Sequence, residues 1–317
     1  MSFNPIMGKL VAAMAEGLTA ESSVVELGNQ TFQVSDSVLA EVMRHNFGER
    51  DSGALQDILN LKGRDRDGQV EAYYRALGFG RYVAIDVNKK FGSLPMDLNE
   101  NLATRYGFEE QFDLVTNNGT GEHVFDQAMV FRNMHQLAAP GGLMLHIMPF
   151  VHWENHGFYN FHPILYMDVA HANGYGIEKI SLADTWGNEV PVNTDREPAG
   201  RTQVHNARGK AGSRLGKIPG AARLVNWKRH LQVWLRSQMA ASQSLTTEEV
   251  CEHIKYPGKG TALAAAIRRL QRGRWGNVLV VALLRKKGDQ PFRYPLQGKY
   301  FQDIGESNIQ EQYSREK

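Results

Sequence analysis

Residues 24–30 of the chain read VVELGNQ, a short apolar run that stops at Gly28 and gives way to polar side chains. A run of this kind that ends at a glycine is typical of a buried strand leading into a turn. Similar runs recur at 82–87 (YVAIDV), 112–116 (FDLVT), 143–148 (LMLHIM), 177–183 (IEKISLA) and 277–284 (NVLVVALL). They are too apolar for a sheet with one face in water, so the sequence predicts a parallel sheet that is covered on both faces.

Helical patterns lie between these runs. Val124, Ala128 and Phe131 have the spacing of one helix face, and 140–142 (Pro-Gly-Gly) is expected to break the chain before the next strand. Pro163 can open a further helix. Strands that alternate with helices predict a Rossmann-like, doubly wound α/β sheet whose ligand binds at the carboxyl ends of the strands.

Composition excludes several classes of protein. The 317 residues are enough for one large α/β domain with an elaboration, and 36 basic against 34 acidic residues give a net charge of +2. Cys251, the single cysteine, cannot form an intramolecular disulfide, and no apolar run reaches the roughly 18 residues of a membrane span. We therefore expect a cytoplasmic protein without a transmembrane segment; a homo-oligomer is left open.

Two stretches are too long for a minimal alternation of strands and helices. The interval between Gly28 and Asp86 predicts a helical insertion, and a longer interval precedes the last apolar run. No acidic residue occurs from 198 to 247, and 198–236 is strongly basic. We predict a core domain over residues 1–184 and 276–317 with an inserted, basic, helical cap over 185–275.

The ends of the first two strands carry polar groups that suit a nucleoside ligand. In such sheets the first turn approaches the ligand, and a carboxylate after the second strand can accept hydrogen bonds from ribose hydroxyls. Gly28 and Asp86 occupy these two places. The later glycines of G-x-G-x-x-G are missing, which argues against NAD and against a phosphate-binding loop.

With these residues the chain resembles the class I S-adenosylmethionine-dependent methyltransferases. Glu26-x-Gly28 is similar to their first motif, Asp86 to the ribose-binding acid, and Asp97-Leu98 to the acidic position after the third strand that reaches the adenine. The segments 112–124 (FDLVTNNGTGEHV) and 156–163 (HGFYNFHP) resemble those of a subgroup often found near glycan and natural-product biosynthesis genes.

This resemblance implies a seven-stranded, mostly parallel sheet with an antiparallel last strand, and S-adenosyl-L-methionine as the cofactor. The cofactor-binding residues it implies, together with nearby polar groups, are Glu26, Gly28, Asn29, Gln30, Asp86, Asp97, Leu98 and Asn117. Because the second and third glycines are absent, the side chains of Asn29 or Gln30 are expected to hold the carboxylate end of the cofactor.

His123, just beyond the run at 112–116, is the candidate general base, with Glu122 beside it as the second catalytic residue. An imidazole with an ordinary pKa of about 6.5 can take a hydroxyl or amine proton near neutral pH. The alternative is that His123 caps the helix expected to start near Val124, or only bonds to Glu122.

Seven of the eleven histidines lie between His123 and His171. His135 and His146 fall on apolar faces and are predicted to be core residues. The loop after the run at 143–148 supplies the candidate acceptor-binding residues His152, His156, Tyr159, Asn160 and His162. No metal site is predicted, because these histidines have neither paired carboxylates nor an H-x-x-x-H pattern on a predicted helix. The alternative is a loop that packs Phe158 and Phe161 into the core.

The resulting hypothesis is methyl transfer from S-adenosylmethionine to an oxygen or nitrogen of a small metabolite, such as a sugar or a natural-product intermediate. Two alternatives stay open. An RNA methyltransferase would use the basic segment 198–236, with Trp227 and Trp234, to bind nucleic acid, although the small net charge gives this little support. A non-catalytic protein would bind the cofactor without turnover.

Overall fold

The computed structural model describes residues 3–14, 21–37, 39–40, 69–194, 245, 249, 262–271 and 276–296. The strands in these ranges are β1 Ser23–Leu27, β2 Arg81–Ile85, β3 Phe112–Asn118, β4 Ala138–Val151, β5 Gly176–Ala183, β6 Glu189–Pro191 and β7 Val278–Arg285. The helices are α1 Pro5–Met14, α2 Gln69–Ala76, α3 Leu102–Tyr106, α4 Gln127–Leu137, α5 Pro163–Ala172 and α6 Ala262–Gln271. No helix in the described ranges is both long and apolar enough to cross a membrane.

The strands form one seven-stranded sheet in the order β2-β1-β3-β4-β7-β5-β6. β1 pairs in parallel with β2 and with β3, and β3 pairs in parallel with β4. β7 is antiparallel to both of its neighbours, β4 and β5, and β6 is antiparallel to β5. The predicted doubly wound, mostly parallel sheet with an antiparallel last strand is confirmed.

Alternate residues of β1 point into two separate cores. Val25 and Leu27 belong to the core that includes residues of α4 and α5. Val24 belongs to the core that includes residues of α1 and α2. Helices therefore cover both faces of the sheet, as its apolar strands require.

The sheet extends beyond residue 184, the predicted end of the first core segment. β6 joins β5 at the sheet edge, and Val192 bridges to Leu245, which is buried in the same core. α2 lies in the interval where a helical insertion was expected. The basic segment 198–236 and most of the predicted cap lie outside the described residues, so the cap stays a prediction.

Three local expectations differ from the structure. The segment before Asp97 forms an isolated bridge, Leu94 to Ile85, where the resemblance implied a full third strand. α4 begins at Gln127 because the Asp126 carboxylate accepts from the Met129 amide, so the helix does not start near Val124. The residues 140–142 lie inside β4, at a register shift opposite β3, and do not separate it from α4.

Glu26 is a buried carboxylate in the middle of this sheet. Its two oxygens accept hydrogen bonds from the hydroxyls of Tyr74 (2.9 Å) and Tyr82 (2.8 Å), which join β1 to α2 and β2. Burial raises the pKa of Glu26 to about 7, and the two hydrogen bonds lower it by less. The folded protein therefore binds a proton at Glu26 more tightly than the unfolded chain does.

Glu26→Gln should change how stability depends on pH. In the native protein, protonation of Glu26 stabilises the folded state. This stabilisation is complete below about pH 4.5 and is lost as the pH rises towards 7. Between pH 4.5 and 8 the free energy of unfolding of the variant should gain about 3 kcal/mol relative to the native protein, measured by urea unfolding. Glu100→Gln, at an exposed position, is the matched control. A constant difference between the native protein and Glu26→Gln at all pH values would contradict this account.

Candidate active site

The turn after β1 lies directly against the turn after β3. Gly28 has a φ of +82°, a conformation that glycine adopts without strain, and its amide donates to the Ile85 carbonyl (2.7 Å). A Cβ at Gly28 would lie 2.1 Å from the Thr120 Oγ1. Only glycine fits here, and the contact fixes the distance between the two turns.

Asp86 follows β2 at the same edge of the sheet. One carboxylate oxygen accepts from the Asn29 amide (3.0 Å), and the other accepts from the Asn88 amide (3.0 Å). The Asn29 side chain donates to the Asn88 Oδ1 (2.7 Å) and to the Lys90 carbonyl (2.9 Å). These bonds hold the half-buried carboxylate beside the Gly28 turn, the juxtaposition that a ribose site requires.

The other polar residues of these turns bind to one another. Gln30 Nε2 lies 3.4 Å from Thr120 Oγ1, and Asn118 Nδ2 lies 3.4 Å from Gln30 Oε1. Asn117 Oδ1 accepts from the Gly121 amide (2.9 Å). The structure thus shows these side chains shaping the turns; the cofactor contacts of Gln30 and Asn117 stay predictions.

The remaining predicted cofactor residues have different surroundings. Asp97 accepts from the Asn99 amide (2.9 Å), and its own amide donates to the Tyr106 hydroxyl (3.0 Å). Leu98 is a core residue. Glu26 is fully buried and bonded to two tyrosines, so the structure gives its carboxylate a place in the core. Contact of these residues with a cofactor stays a prediction.

A cluster of Glu122, His123 and His156 lies just after β3, where 121–123 form one 3₁₀ turn. Glu122 is 0% exposed, and its Oε1 lies 3.2 Å from His156 Nε2 and 3.7 Å from His123 Nε2. One ligand atom from each of the three residues lies within 4.8 Å of the other two. The structure therefore joins the predicted catalytic pair to one of the predicted acceptor-binding histidines.

Three buried atoms of this cluster lack a hydrogen bond. Among the residues that the structure describes, no donor or acceptor with suitable geometry reaches either carboxylate oxygen of Glu122 or Nε2 of His156. Burial raises the pKa of Glu122 to about 7. Burial lowers the pKa of both histidines, and the proximity of His156 lowers that of His123 further. Both imidazoles are therefore neutral near pH 7, each with a free nitrogen lone pair.

The loop after β4 is fastened to the backbone of Glu122. The Phe158 amide donates to the Glu122 carbonyl (2.8 Å), and a Cβ at Gly157 would lie 2.8 Å from Glu122 Cγ. The ring of Trp153 lies 4.8 Å from that of His156, and its indole donates to the Val278 carbonyl (3.1 Å). The sequence analysis missed Gly157 and Trp153, although the glycine directly after His156 could have indicated a close approach of the backbone.

Other predicted acceptor residues shape the loop. The Tyr159 hydroxyl donates to the Phe125 carbonyl (3.0 Å), and His162 Nδ1 accepts from the Ile164 amide (3.2 Å) at the start of α5. His152 Nδ1 lies 3.6 Å from a carboxylate oxygen of Glu154, and Asn160 is exposed. Of the two aromatics in the packing alternative, Phe161 is in the core, but Phe158 is 68% exposed.

The two histidines that were predicted to be core residues are buried. His135 Nδ1 lies 2.6 Å from the Tyr175 hydroxyl, and its Nε2 lies 2.8 Å from the Gln290 carbonyl. His146 is enclosed in β4, and burial lowers its pKa to about 3. Neither takes part in the cluster around Glu122, so the sequence prediction for both is confirmed.

Comparison with known proteins gives one family match and several similar folds. Residues 65–209 match the family model Methyltransf_23, described as a methyltransferase domain. No curated protein sequence matches the chain.

Among solved structures, a SAM-dependent methyltransferase of Thiobacillus denitrificans in complex with S-adenosyl-L-homocysteine is 15% identical, over 89% of this chain and 92% of that chain, with a TM-score of 0.31. A second one in complex with S-adenosyl-L-homocysteine, from Geobacter sulfurreducens, is 13% identical, over 89% and 92%, with a TM-score of 0.30. An O-methyltransferase from a trans-AT PKS multienzyme of Brevibacillus brevis is 10% identical, over 90% and 73%, with a TM-score of 0.32. Likenesses of this strength do not identify a substrate.

The family match covers the chain from β2 to β6, the part that carries Asp86 and the turn after β3. The mostly parallel seven-stranded sheet is the one that the sequence motifs led us to expect. The family match over residues 65–209 and the form of the sheet support the resemblance of the chain to the class I S-adenosylmethionine-dependent methyltransferases.

Proposed function

We propose that this protein transfers the methyl group of S-adenosylmethionine to an oxygen or nitrogen of a small metabolite, such as a sugar or a natural-product intermediate. One observation carries the proposal. The turn that contacts Gly28 through Thr120 continues directly into Glu122 and His123. A nucleoside held beside Gly28 and Asp86 and an acceptor held beside His123 would therefore be neighbours.

On the cofactor side, Asp86 is the group that binds the ribose hydroxyls. Its carboxylate is fixed by two backbone amides and remains partly open to solvent. The Thiobacillus and Geobacter methyltransferases were solved with S-adenosyl-L-homocysteine, the product of the cofactor, which supports the same nucleoside here. Because Gly28 has no side chain, this turn lies directly against Thr120 of the turn that leads to Glu122 and His123.

On the acceptor side, the pair of Glu122 and His123 removes the proton. The acceptor oxygen or nitrogen attacks the methyl carbon as the carbon–sulfur bond breaks, and its proton passes to His123, which leaves S-adenosylhomocysteine and the methylated acceptor. The side chain of His123 is 45% exposed, whereas that of Glu122 is 0% exposed. His123 is therefore the member of the pair that an incoming acceptor meets, with the carboxylate behind it.

Two exposed aromatic rings suit a ring-shaped acceptor. Phe125 is 73% exposed and Phe158 is 68% exposed, and their ring centres lie 6.3 Å apart. Both rings are close to the cluster. Phe125 is two residues after His123 in the chain, and the Phe158 amide donates to the Glu122 carbonyl. Aromatic faces of this kind pack against the apolar surface of a small ligand, while the polar cluster fixes its reacting atom.

Asp86→Ala should weaken binding of S-adenosylhomocysteine by about ten- to a hundredfold. The substitution removes a charge-assisted hydrogen bond to the ribose, which is worth roughly 1.5–3 kcal/mol. Isothermal titration calorimetry measures the change. Asp113→Ala is the matched control, because Asp113 lies near the start of β3, at the opposite edge of the sheet, and should leave the affinity within about twofold. Equal affinity in the native protein and Asp86→Ala would remove the basis for the cofactor site.

His123→Ala should lower kcat by about 10²- to 10⁴-fold and leave the affinity for S-adenosylhomocysteine within about threefold, since a positioned proton acceptor acts on the reaction step. The assay follows S-adenosylhomocysteine release in single turnovers with a panel of sugar and amine acceptors. His171→Ala, exposed at the end of α5, is the control and should keep full activity. Parallel loss of activity and cofactor affinity in His123→Ala would assign His123 to structure.

A further inference from the structure

The cluster after β3 has the composition of a metal site. Glu122, His123 and His156 offer one carboxylate and two imidazole nitrogens, and the three ligand atoms lie within 4.8 Å of one another. Two of these residues are adjacent in the chain, and the third comes from the loop after β4. We propose that Glu122, His123 and His156 bind a divalent transition-metal ion such as Zn²⁺.

The separations suit an ion at the centre of the cluster. Zn²⁺ binds histidine nitrogen and carboxylate oxygen at about 2.0–2.2 Å, so tetrahedral ligand atoms lie about 3.3 Å apart. Glu122 Oε1 lies 3.2 Å from His156 Nε2 and 3.7 Å from His123 Nε2. These two separations are within a few tenths of an ångström of that spacing, and the ligand atoms of the two histidines lie within 4.8 Å of each other.

The unpaired atoms are the second observation that points to a ligand. Within the described part of the chain, both oxygens of Glu122 and the Nε2 of His156 are buried and without a hydrogen-bond partner. Leaving one buried polar group unpaired costs roughly 1–3 kcal/mol, and more when the group is charged. Glu26, the other fully buried carboxylate described above, has a tyrosine hydroxyl on each oxygen. A cation would satisfy Glu122 in the way that the tyrosines satisfy Glu26.

The ligand set selects the class of ion. Imidazole suits Zn²⁺ and its first-row neighbours, whereas Mg²⁺ and Ca²⁺ prefer sets made of oxygen alone. Three protein ligands also leave a coordination position open, as in catalytic zinc sites of the His₂Glu type. The backbone bond from Phe158 to Glu122 and the packing of Trp153 on His156 hold the ligands in place without the ion.

The role of the ion rests on the proposed function. An acceptor hydroxyl that occupies the open position has its pKa lowered, because the ion stabilises the alkoxide. His123 and Glu122 then act as ligands and do not themselves accept the proton, which passes from the metal-bound hydroxyl to solvent water. Metal binding itself does not depend on methyl transfer, so the two proposals can be tested separately.

The test is zinc binding by the full chain after treatment with a chelator. The native protein is titrated with Zn²⁺ against a chromophoric competitor, and Glu122→Gln, His156→Ala and His123→Ala are titrated in parallel. We expect the native protein to bind one more equivalent of Zn²⁺ than each variant, or to bind that equivalent at least about a hundredfold more tightly. Millimolar Mg²⁺ should not compete. Co²⁺ bound to the native protein should give the intense visible absorption of a tetrahedral site, which the variants lack.

His171→Ala is the control, since its exposed imidazole lies on α5, away from the cluster, and it should bind Zn²⁺ like the native protein. Circular dichroism of each metal-free variant checks that it is folded, and His123→Ala, at the most exposed of the three positions, is the variant least able to disturb the core. Equal zinc binding by the native protein and all folded variants, or none by the native protein, overturns the metal site. Binding of S-adenosylhomocysteine by the metal-free protein is measured alongside. If this protein does not bind S-adenosylhomocysteine, the result counts against the proposed function, but the result of the zinc titration still stands.

Discussion

The contact between Gly28 and Thr120 is the constraint on which the site depends. β1 pairs in parallel with β2 and β3, so the carboxyl ends of all three strands meet at one edge. At that edge a Cβ on Gly28 would clash with the Thr120 side chain. The backbone of the first turn can therefore come against the turn after β3 only because residue 28 is glycine. This close approach puts Asp86 on one side of the junction and the pair of Glu122 and His123 on the other.

Two buried carboxylates with the same pKa, about 7, show how the structure separates core from site. At Glu26 both oxygens accept from tyrosine hydroxyls, so the group is satisfied within the fold. At Glu122 neither oxygen has a hydrogen-bond partner in the described residues, and two neutral imidazoles lie next to it. The first arrangement stabilises the sheet. The second leaves a buried acceptor without a hydrogen bond at the carboxyl ends of the strands, which is a feature of functional sites more than of cores.

The sequence predicted the parts of the structure that depend on local pattern. Apolar runs located six of the strands, and Asp86 was placed beside Gly28 because parallel strands end at a common edge. It could not predict contacts set by the path of a loop. His156 reaches Glu122 only because Gly157 admits the backbone and Phe158 donates to the Glu122 carbonyl. For the same reason the metal site proposed above was not predicted: His156 is separated from Glu122 and His123 by a stretch of chain that no spacing rule covers.

The first turn departs from the glycine-rich motif in a way that the contacts explain. Later glycines normally leave backbone amides free to bind a ligand. Here the Asn29 amide donates to Asp86, and the Asn29 side chain holds the loop after β2 at Asn88 and Lys90. Hydrogen bonds of polar side chains thus fix the turn in this protein. The turn is held before any ligand arrives, which lowers the entropy cost of binding, but one amide that could have met the cofactor is already used. We therefore propose that side chains supply the donors for the carboxylate end of the cofactor. Gln30 is the candidate at this junction, because its two polar atoms make long contacts of 3.4 Å that a ligand can replace.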